Sequence, residues 1–164
     1  MGSPDADGNI EPLPWFSHVI FSDDGGGTWE LGGVAPADGG NECEVVEIGD
    51  GRLALNMRNQ RREVAGKTVA GTQALPRGAR MVSYSSDGGA SFGLPERASA
   101  LIEPTCMASV RRYAPVGASA AEDLILFSNP ASERERAGVT VRLSRDGGAH
   151  TPCPSSHSRV CGIA

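Results

Sequence analysis

The sequence has few aromatic residues and no long apolar segment. Phe, Trp and Tyr together make up 5% of its 164 residues, and no apolar run approaches the ~18–20 residues that a membrane span requires. The N-terminal residues MGSPDADG lack both the basic start and the apolar core of a signal peptide. We therefore expect no transmembrane segment and no secretion signal in this chain, and the sequence leaves its compartment undetermined.

Clustered basic residues and metal-ligand spacings are also missing. The 15 Lys and Arg residues are interspersed among 20 Asp and Glu residues, for a formal net charge of -5 at pH 7, so nucleic acid is not an expected partner. The cysteines show neither a C-x-x-C pair nor a histidine spacing typical of zinc sites. We expect mostly buried thiols, no metal and no organic cofactor. The cysteines are Cys43, Cys106, Cys153 and Cys161.

Glycine and proline, in contrast, are plentiful. The 22 Gly and 11 Pro residues indicate short strands joined by tight turns, without reaching a collagen-like or disordered composition. Apolar and β-branched runs such as Trp15–Phe21 and Glu122–Pro130 have the length and residue types of strands. The predicted fold class is therefore all-β.

An octet with the pattern S-x-D-x-G recurs along the chain. Its three copies begin 63 and 59 residues apart, a spacing typical of a repeated supersecondary unit. The Asp can accept hydrogen bonds from turn amides, the glycines allow positive φ, and the aromatic residue that closes the first two copies can fill the space beneath the turn. We predict hairpin turns with a structural role and no catalytic one. The residues are Ser22, Asp24, Gly26, Thr28 and Trp29 in the first copy, Ser85, Asp87, Gly89 and Phe92 in the second, and Ser144, Asp146 and Gly148 in the third.

The segment Asn41–Asn59 has the pattern of one β-hairpin. Apolar and polar residues alternate after a Gly-Asp-Gly turn at 49–51, which predicts one apolar and one polar face for the second strand. A three-residue loop sets a register in which Glu42 lies opposite Arg58. On the residues alone, this pair is either a surface contact that stabilises the hairpin by ~0.2–1 kcal/mol or part of a functional site.

The hairpin and the octets together resemble those of the sialidase (neuraminidase) family. The hairpin resembles exo-sialidases in its NEC start, its DG turn and its NMRNQ end, and the octets resemble the Asp boxes that lie between the outer strands of propeller blades. Because Asp boxes also occur in unrelated propellers, the hairpin carries the chemical part of the resemblance. The resemblance implies a partial six-bladed β-propeller of about three blades with Asp-box hairpins. It covers residues 17–148, between a polar lead-in at 1–16 and an irregular tail at 149–164.

The resemblance also implies roles for individual residues. Glu42 corresponds to the base that activates a tyrosine nucleophile, and Arg58 corresponds to one of three arginines that hold the carboxylate of the sugar. Another of the three corresponds to Arg134 or Arg136. We choose Arg136 because, as in the family, it directly precedes small residues that lead into the next strand. The implied reaction is the hydrolysis, with retention, of terminal α-sialic acid from sialylated glycoproteins and glycolipids.

Three parts of the family pattern have no counterpart in this sequence. No tyrosine follows Tyr113, and the arginine motif and the acidic residue that precede the first Asp box in the family are missing. We therefore expect this chain to correspond to part of a catalytic domain and to be inactive by itself. The alternative is a non-catalytic Asp-box propeller that binds glycans or proteins.

Overall fold

The computed structural model of the protein contains strands and no helix in the part of the chain that it describes. That part comprises residues 15–37, 39–48, 51–60, 77–113 and 124–146, together with the backbone of 160–162. It accordingly includes no helix that could cross a membrane. The strands are β1 (His18–Phe21), β2 (Glu30–Val34), β3 (Gly40–Glu47), β4 (Leu53–Asn59), β5 (Ala79–Ser85), β6 (Glu96–Ile102), β7 (Ser109–Tyr113), β8 (Leu124–Pro130), β9 (Val139–Ser144) and β10 (Val160–Gly162).

The strands form three antiparallel sheets. β1 and β2 form the first sheet, β3 to β6 follow one another in the four-stranded second sheet, and β7 to β10 do the same in the third. This order is the common one for antiparallel sheets, in which strands that follow each other in the chain usually pair. The all-β class predicted from the sequence is confirmed.

The C-terminal segment differs in part from the sequence-based expectation. An irregular tail is predicted at 149–164, yet β10 within it pairs with β9, with Val160 opposite Arg142 and Gly162 opposite Thr140. Backbone N–H and C=O groups form this ladder, so a strand does not require apolar alternation in its side chains. The rest of the tail, and residues 1–14 of the lead-in, lie outside the described residues.

The second sheet is buried on both of its faces. Leu55 and Met57 of β4 belong to a core cluster against which Val19 of the first sheet packs. Ala54, on the other face of β4, shares a second cluster with Phe127 of the third sheet. The polar face predicted for β4 is therefore wrong: a central strand of a sheet that lies between two others has apolar neighbours on both sides.

Two adjacent glycines let the first sheet approach the second octet. The N–H of Gly33 donates a hydrogen bond to the carbonyl of Gly89 at 2.7 Å. A Cβ atom on Gly32 would lie 2.9 Å from the same carbonyl oxygen and 2.7 Å from a methyl group of Val19. Such distances are too short for a side chain, so the close approach of β2 depends on glycine.

The first two octets each fold around their own aspartate. Asp24 accepts hydrogen bonds from the N–H and the hydroxyl of Thr28, at 2.8 and 2.7 Å. Asp87 accepts the corresponding two bonds from Ser91, with the N–H at 2.9 Å. The first octet joins β1 to β2, and the second octet joins β5 to β6. Both therefore connect strands that pair with each other.

The third octet is described only as far as its aspartate. The hydroxyl of Ser144 donates a hydrogen bond to Asp146, as the first serine of each earlier octet does to its aspartate. Gly148 lies outside the described residues. In the earlier octets the glycines adopt positive φ, +96° at Gly26 and +93° at Gly89, a conformation that residues with a Cβ rarely reach.

These hydrogen bonds favour the ionised form of both carboxylates. The N–H and hydroxyl of Thr28 hold the pKa of Asp24 far below its usual value. The hydroxyl and N–H of Ser91 lower the pKa of Asp87 to about 2. Donors that point at a carboxylate have this effect because they bind the charged form more strongly than the neutral one.

The aromatic residues that close the two octets differ in their surroundings. Phe92 is 8% exposed and shares a core cluster with Leu55 and Met81, whereas Trp29 is 61% exposed. The Trp29 ring nevertheless lies against its own turn, where a Cβ on Gly26 would be 3.8 Å from its Cζ2 atom, so the two rings differ in what covers them from outside. Phe92 is covered because Ala35, which follows β2, packs in the same cluster.

We expect acid to destabilise the protein partly through Asp87. A carboxylate with a depressed folded-state pKa stabilises the fold above the unfolded-state pKa of ~3.9, and this contribution is lost as the pH falls toward the folded-state value, here about 2. Asp87→Asn should lower the urea midpoint at about pH 6 and flatten its fall on acidification. Asp23→Asn controls for the loss of one acidic charge. A midpoint in Asp87→Asn that falls as steeply as that of the wild type would contradict this prediction.

The two aromatic positions should contribute very differently to stability. Phe92→Ala removes a buried ring and should lower the free energy of unfolding by about 3–5 kcal/mol. Trp29→Ala, at the matching position of the first octet, should change it by about 0.5 kcal/mol or less, because the ring is mostly in solvent. Urea titration followed by circular dichroism measures both values, and equal losses in the two variants would contradict the difference in burial.

Candidate functional site

The β3–β4 hairpin has the predicted register over most of its length. Residues 43–47 of β3 pair with residues 53–57 of β4 in the order that a loop at 49–51 requires. This part of the prediction is confirmed. The register then shifts between residues 40 and 43, so Glu42 and Arg58 lie just beyond the regular ladder.

Glu42 and Arg58 contact each other at this end of the hairpin. Nη1 of Arg58 donates to Oε2 of Glu42 at 2.6 Å, so the two side chains share one face of the sheet. The Arg58 side chain is 15% exposed and that of Glu42 is 42% exposed. Nε of Arg58 is buried and has no hydrogen-bond partner among the described residues. Arg58 therefore keeps a donor that the described part of the chain does not satisfy.

An open groove of about 440 Å³ lies beside Glu42. Its walls are the segment that leads into β1 and the first residues of β3, which are joined by a 2.7 Å hydrogen bond from the Ser17 hydroxyl to the Asn41 carbonyl. Trp15 and Phe16 line one wall, and Asn41 and Glu42 line the other. Aromatic surface with a few polar groups in a cleft of this size is typical of a site for a small molecule.

Beneath the hairpin end, Arg80 and Glu103 form a buried ion pair. Nη1 of Arg80 lies 2.8 Å from Oε2 of Glu103, and both side chains are 1% exposed. Nε of Arg80 donates to Oδ1 of Asn56 at 2.6 Å, and Nη1 also donates to the carbonyl of Cys106 at 2.8 Å. Burial lowers the pKa of the Arg80 guanidinium and Glu103 acts against that shift, but a guanidinium remains charged.

Sequence reasoning missed this pair. Arg80 stands between the apolar residues Ala79 and Met81, and Glu103 directly follows the apolar run that ends at Ile102. A charged residue inside an apolar strand is a usable signal, because charged side chains are almost never fully buried unless they are paired. The sequence does not show that these two residues, 23 positions apart, are each other's partners.

A second set of ion pairs joins β3 to the third sheet. Oε1 of Glu44 contacts Nη2 of Arg111 at 2.8 Å, and Oε2 accepts a hydrogen bond from the N–H of Val110 at 2.6 Å. Glu47 contacts Arg112 at 3.2 Å. β3 and β7 are therefore linked by two ion pairs, which fix the hairpin relative to the third sheet.

Arg136 lies on the connection between β8 and β9. Its Nη2 donates to the carbonyl of Thr105 at 3.4 Å, in the loop that follows Glu103. Thr105 has φ +53° and is the one non-glycine residue with positive φ in the described part of the chain, an unfavourable conformation for a β-branched residue. Arg134 is exposed as well, and its N–H donates to the Ser132 hydroxyl at 3.2 Å. The structure thus brings Glu42 and Arg58 into contact, whereas Arg136 contacts the loop that follows Glu103.

The described residues contain no group of three or more His, Cys, Asp and Glu side chains that could hold a metal ion. Cys43 and Cys106 are free and half-buried, so at these two positions the expected burial is only partial. Cys43 lies in the groove wall, where its Sγ contacts the carbonyl of His18 at 3.7 Å.

The sequence matches a known family and two curated relatives. Residues 8–152 match the BNR repeat-like domain family. A sialidase of Micromonospora viridifaciens is 38% identical over 136 residues, which cover 81% of this chain and 18% of that protein. A sialidase of Bacteroides fragilis strain YCH46 is 31% identical over 131 residues, which cover 79% of this chain and 21% of that protein. The chain therefore spans about a fifth of the length of these relatives.

Solved sialidase structures resemble the described fold. The Hadza microbial sialidase Hz136 matches with a TM-score of 0.62 and 33% identity, over 80% of this chain and 23% of that one. The NanB sialidase of Streptococcus pneumoniae matches with a TM-score of 0.59 and 18% identity, over 80% of this chain and 18% of that one. The second match, at its low identity, bears on the fold alone. The three sheets are thus part of a propeller-type fold.

Proposed function

Because this chain belongs to the BNR repeat-like domain family and is similar to sialidases over about four fifths of its length, we propose that it forms part of a sialidase-type site. In this site Glu42 is the general base, and Arg58 and Arg136 bind the carboxylate of a terminal sialic acid on a glycoprotein or glycolipid. The observation that carries the proposal is the contact between Glu42 and Arg58 at the edge of a groove with aromatic walls.

The chemistry of the substrate suits these residues. A planar guanidinium binds a carboxylate through two charge-assisted hydrogen bonds, which a lysine ammonium cannot reproduce. Arg58 uses Nη1 for Glu42, which orients its guanidinium, and its side chain keeps 15% of its surface exposed. Trp15 and Phe16 line the groove beside Glu42 and supply apolar surface for the carbon skeleton of a sugar.

The placement of the octets supports their identification as Asp boxes. In this proposal the three sheets are about three blades of a six-bladed propeller. The second octet joins the third and fourth strands of its sheet, and Ser144 to Asp146 follow the third strand of the next sheet. The octets therefore recur at one position of the repeating unit, and the hydrogen bonds that Asp24 and Asp87 accept from Thr28 and Ser91 stay within their own turns. They stabilise the blades and take no part in the reaction.

The proposed reaction is a double displacement with retention. Glu42 accepts the proton of a tyrosine hydroxyl as the tyrosine oxygen attacks the anomeric carbon, and the glycosidic oxygen leaves with a proton from an acid. Water then attacks the anomeric carbon and gives a proton to the deprotonated acid, while the tyrosine oxygen leaves and takes its proton back from Glu42. Neither tyrosine of the chain lies near Glu42 and Arg58. Tyr84 pairs with Ala54 of β4, and Ala54 is four residues, or about 13 Å, from Arg58 along that strand. Tyr113 lies beyond Arg112 and Glu47, also away from Glu42. Neither tyrosine is placed to be the nucleophile.

Binding of free sialic acid to the purified chain tests the arginine assignments. Arg58→Ala and Arg136→Ala should each weaken binding by about tenfold or more, because each removes a charge-assisted contact with the carboxylate. Arg134→Ala is the matched control and should bind like the wild type. An NMR titration measures the dissociation constants. Unchanged affinity in both Arg58→Ala and Arg136→Ala would contradict the proposal and favour a non-catalytic propeller that binds glycans or proteins elsewhere.

We expect the 164-residue chain to show no turnover of a fluorogenic sialoside above the uncatalysed rate. The reason is that Glu42 acts on a tyrosine, and neither Tyr84 nor Tyr113 is positioned for it. The assay compares the wild type with Glu42→Gln, which keeps the shape of the side chain but removes the base. Activity in the wild type that disappears in Glu42→Gln would show that this chain supplies its own nucleophile.

A further inference from the structure

The buried pair of Arg80 and Glu103 is poorly explained by stability alone. Both side chains are 1% exposed, and the removal of two charges from water offsets much of the attraction between them. Apolar residues of similar volume often stabilise a core as well or better. The polar atoms of the pair are instead directed at particular backbone and side-chain groups around the candidate site.

The first of these groups lie on β4, on both sides of Arg58. Nε of Arg80 binds the side chain of Asn56, two residues before Arg58. Oε1 of Glu103 accepts the N–H of Asn59, directly after Arg58, at 2.7 Å. The ladder between β4 and β5 ends at Met57, so the carboxylate of Glu103 provides an acceptor for β4 where the strand partner no longer does.

The second group is the loop 103–108, which follows β6. The carbonyl of Cys106 accepts a hydrogen bond from Arg80, and the carbonyl of Thr105 accepts one from Arg136. Thr105 is held at φ +53°, a conformation that persists only where surrounding contacts impose it. The bond from Arg80 to the next residue is such a contact. Arg80 and Glu103 therefore connect the strand of Arg58 with the loop that touches Arg136.

We propose that the Arg80–Glu103 pair is a positioning unit that fixes the distance between Arg58 and Arg136, so that both guanidinium groups reach one carboxylate. This inference rests on the proposed function, since it requires that the two arginines share a ligand. Arg80 and Glu103 do not touch the ligand. They act through Asn56, Asn59 and the loop 103–108.

The experiment replaces the pair by apolar residues of similar size. The variant Arg80→Met/Glu103→Leu removes both charges together, so no unpaired charge is left in the core. The probes are sialic acid and its carboxamide, in which a neutral amide replaces the carboxylate. The measured quantity is the ratio of the two dissociation constants, because a change in overall stability alters both affinities alike and leaves their ratio unchanged. Arg112→Ala/Glu47→Ala, which removes the exposed pair between β3 and β7, is the control.

The wild type and the control should both prefer the acid over the carboxamide. In the folded Arg80→Met/Glu103→Leu variant this preference should fall by about tenfold or more, since two guanidinium groups that are out of place lose their charge-assisted bonds to one carboxylate. A variant that folds and keeps the wild-type ratio overturns the positioning role and leaves the proposed function intact. A wild-type chain that binds neither compound, or both equally, overturns the proposed function and the positioning role with it.

A second variant covers the case in which the double replacement does not fold. Arg80→Lys keeps a positive charge for Glu103, but an ammonium group cannot also reach Asn56 and the Cys106 carbonyl in the directions that the guanidinium uses. The preference for the acid should fall in this variant as well. A wild-type ratio in Arg80→Lys would overturn the positioning role.

Discussion

Burial of the second sheet on both faces is the constraint on which the rest of the structure depends. One core cluster, with Leu55 and Met57, lies toward the first sheet, and the other, with Ala54 and Val82, lies toward the third. Successive residues of β4 therefore pack alternately toward the first sheet and toward the third sheet. On the face of β4 toward the third sheet, Ala54 is apolar, whereas Asn56 and Arg58 toward the other end of the strand are polar, so the candidate site lies where the apolar interface stops.

Local signals in the sequence predict the hairpin and the contact between Glu42 and Arg58. Alternation fixes which residues share a face, and the Gly-Asp-Gly turn fixes the register. These two local features bring Glu42 to Arg58, as the 2.6 Å contact shows. The all-β class likewise follows from turn residues and strand-length apolar runs. Local rules succeed here because the two strands are neighbours in the chain and the pattern needs only the loop between them.

The features that the sequence does not predict all depend on contacts between distant segments. Asn56 can be buried because its side chain accepts a hydrogen bond from Arg80, which lies on the next strand. Trp29 and Phe92 occupy the same position in their octets, yet only Phe92 has a neighbouring sheet packed on it. The pairing of Arg80 with Glu103 requires β5 and the loop after β6 to meet beneath the hairpin. The residue pattern within one strand does not predict these contacts, because they depend on which sheets face each other.

Two-sided burial also decides which pairings of β4 are possible. A slip of one residue would turn Arg58 toward the first sheet, where Met57 and Met81 now pack, and would bring Leu55 and Met57 to the face that holds Arg80. A guanidinium would then lie among methionine side chains without a partner, at a cost of several kcal/mol. Hydrocarbon contacts farther along the strand thus reinforce the register that the turn favours, and the attraction between Glu42 and Arg58 is not needed to set it.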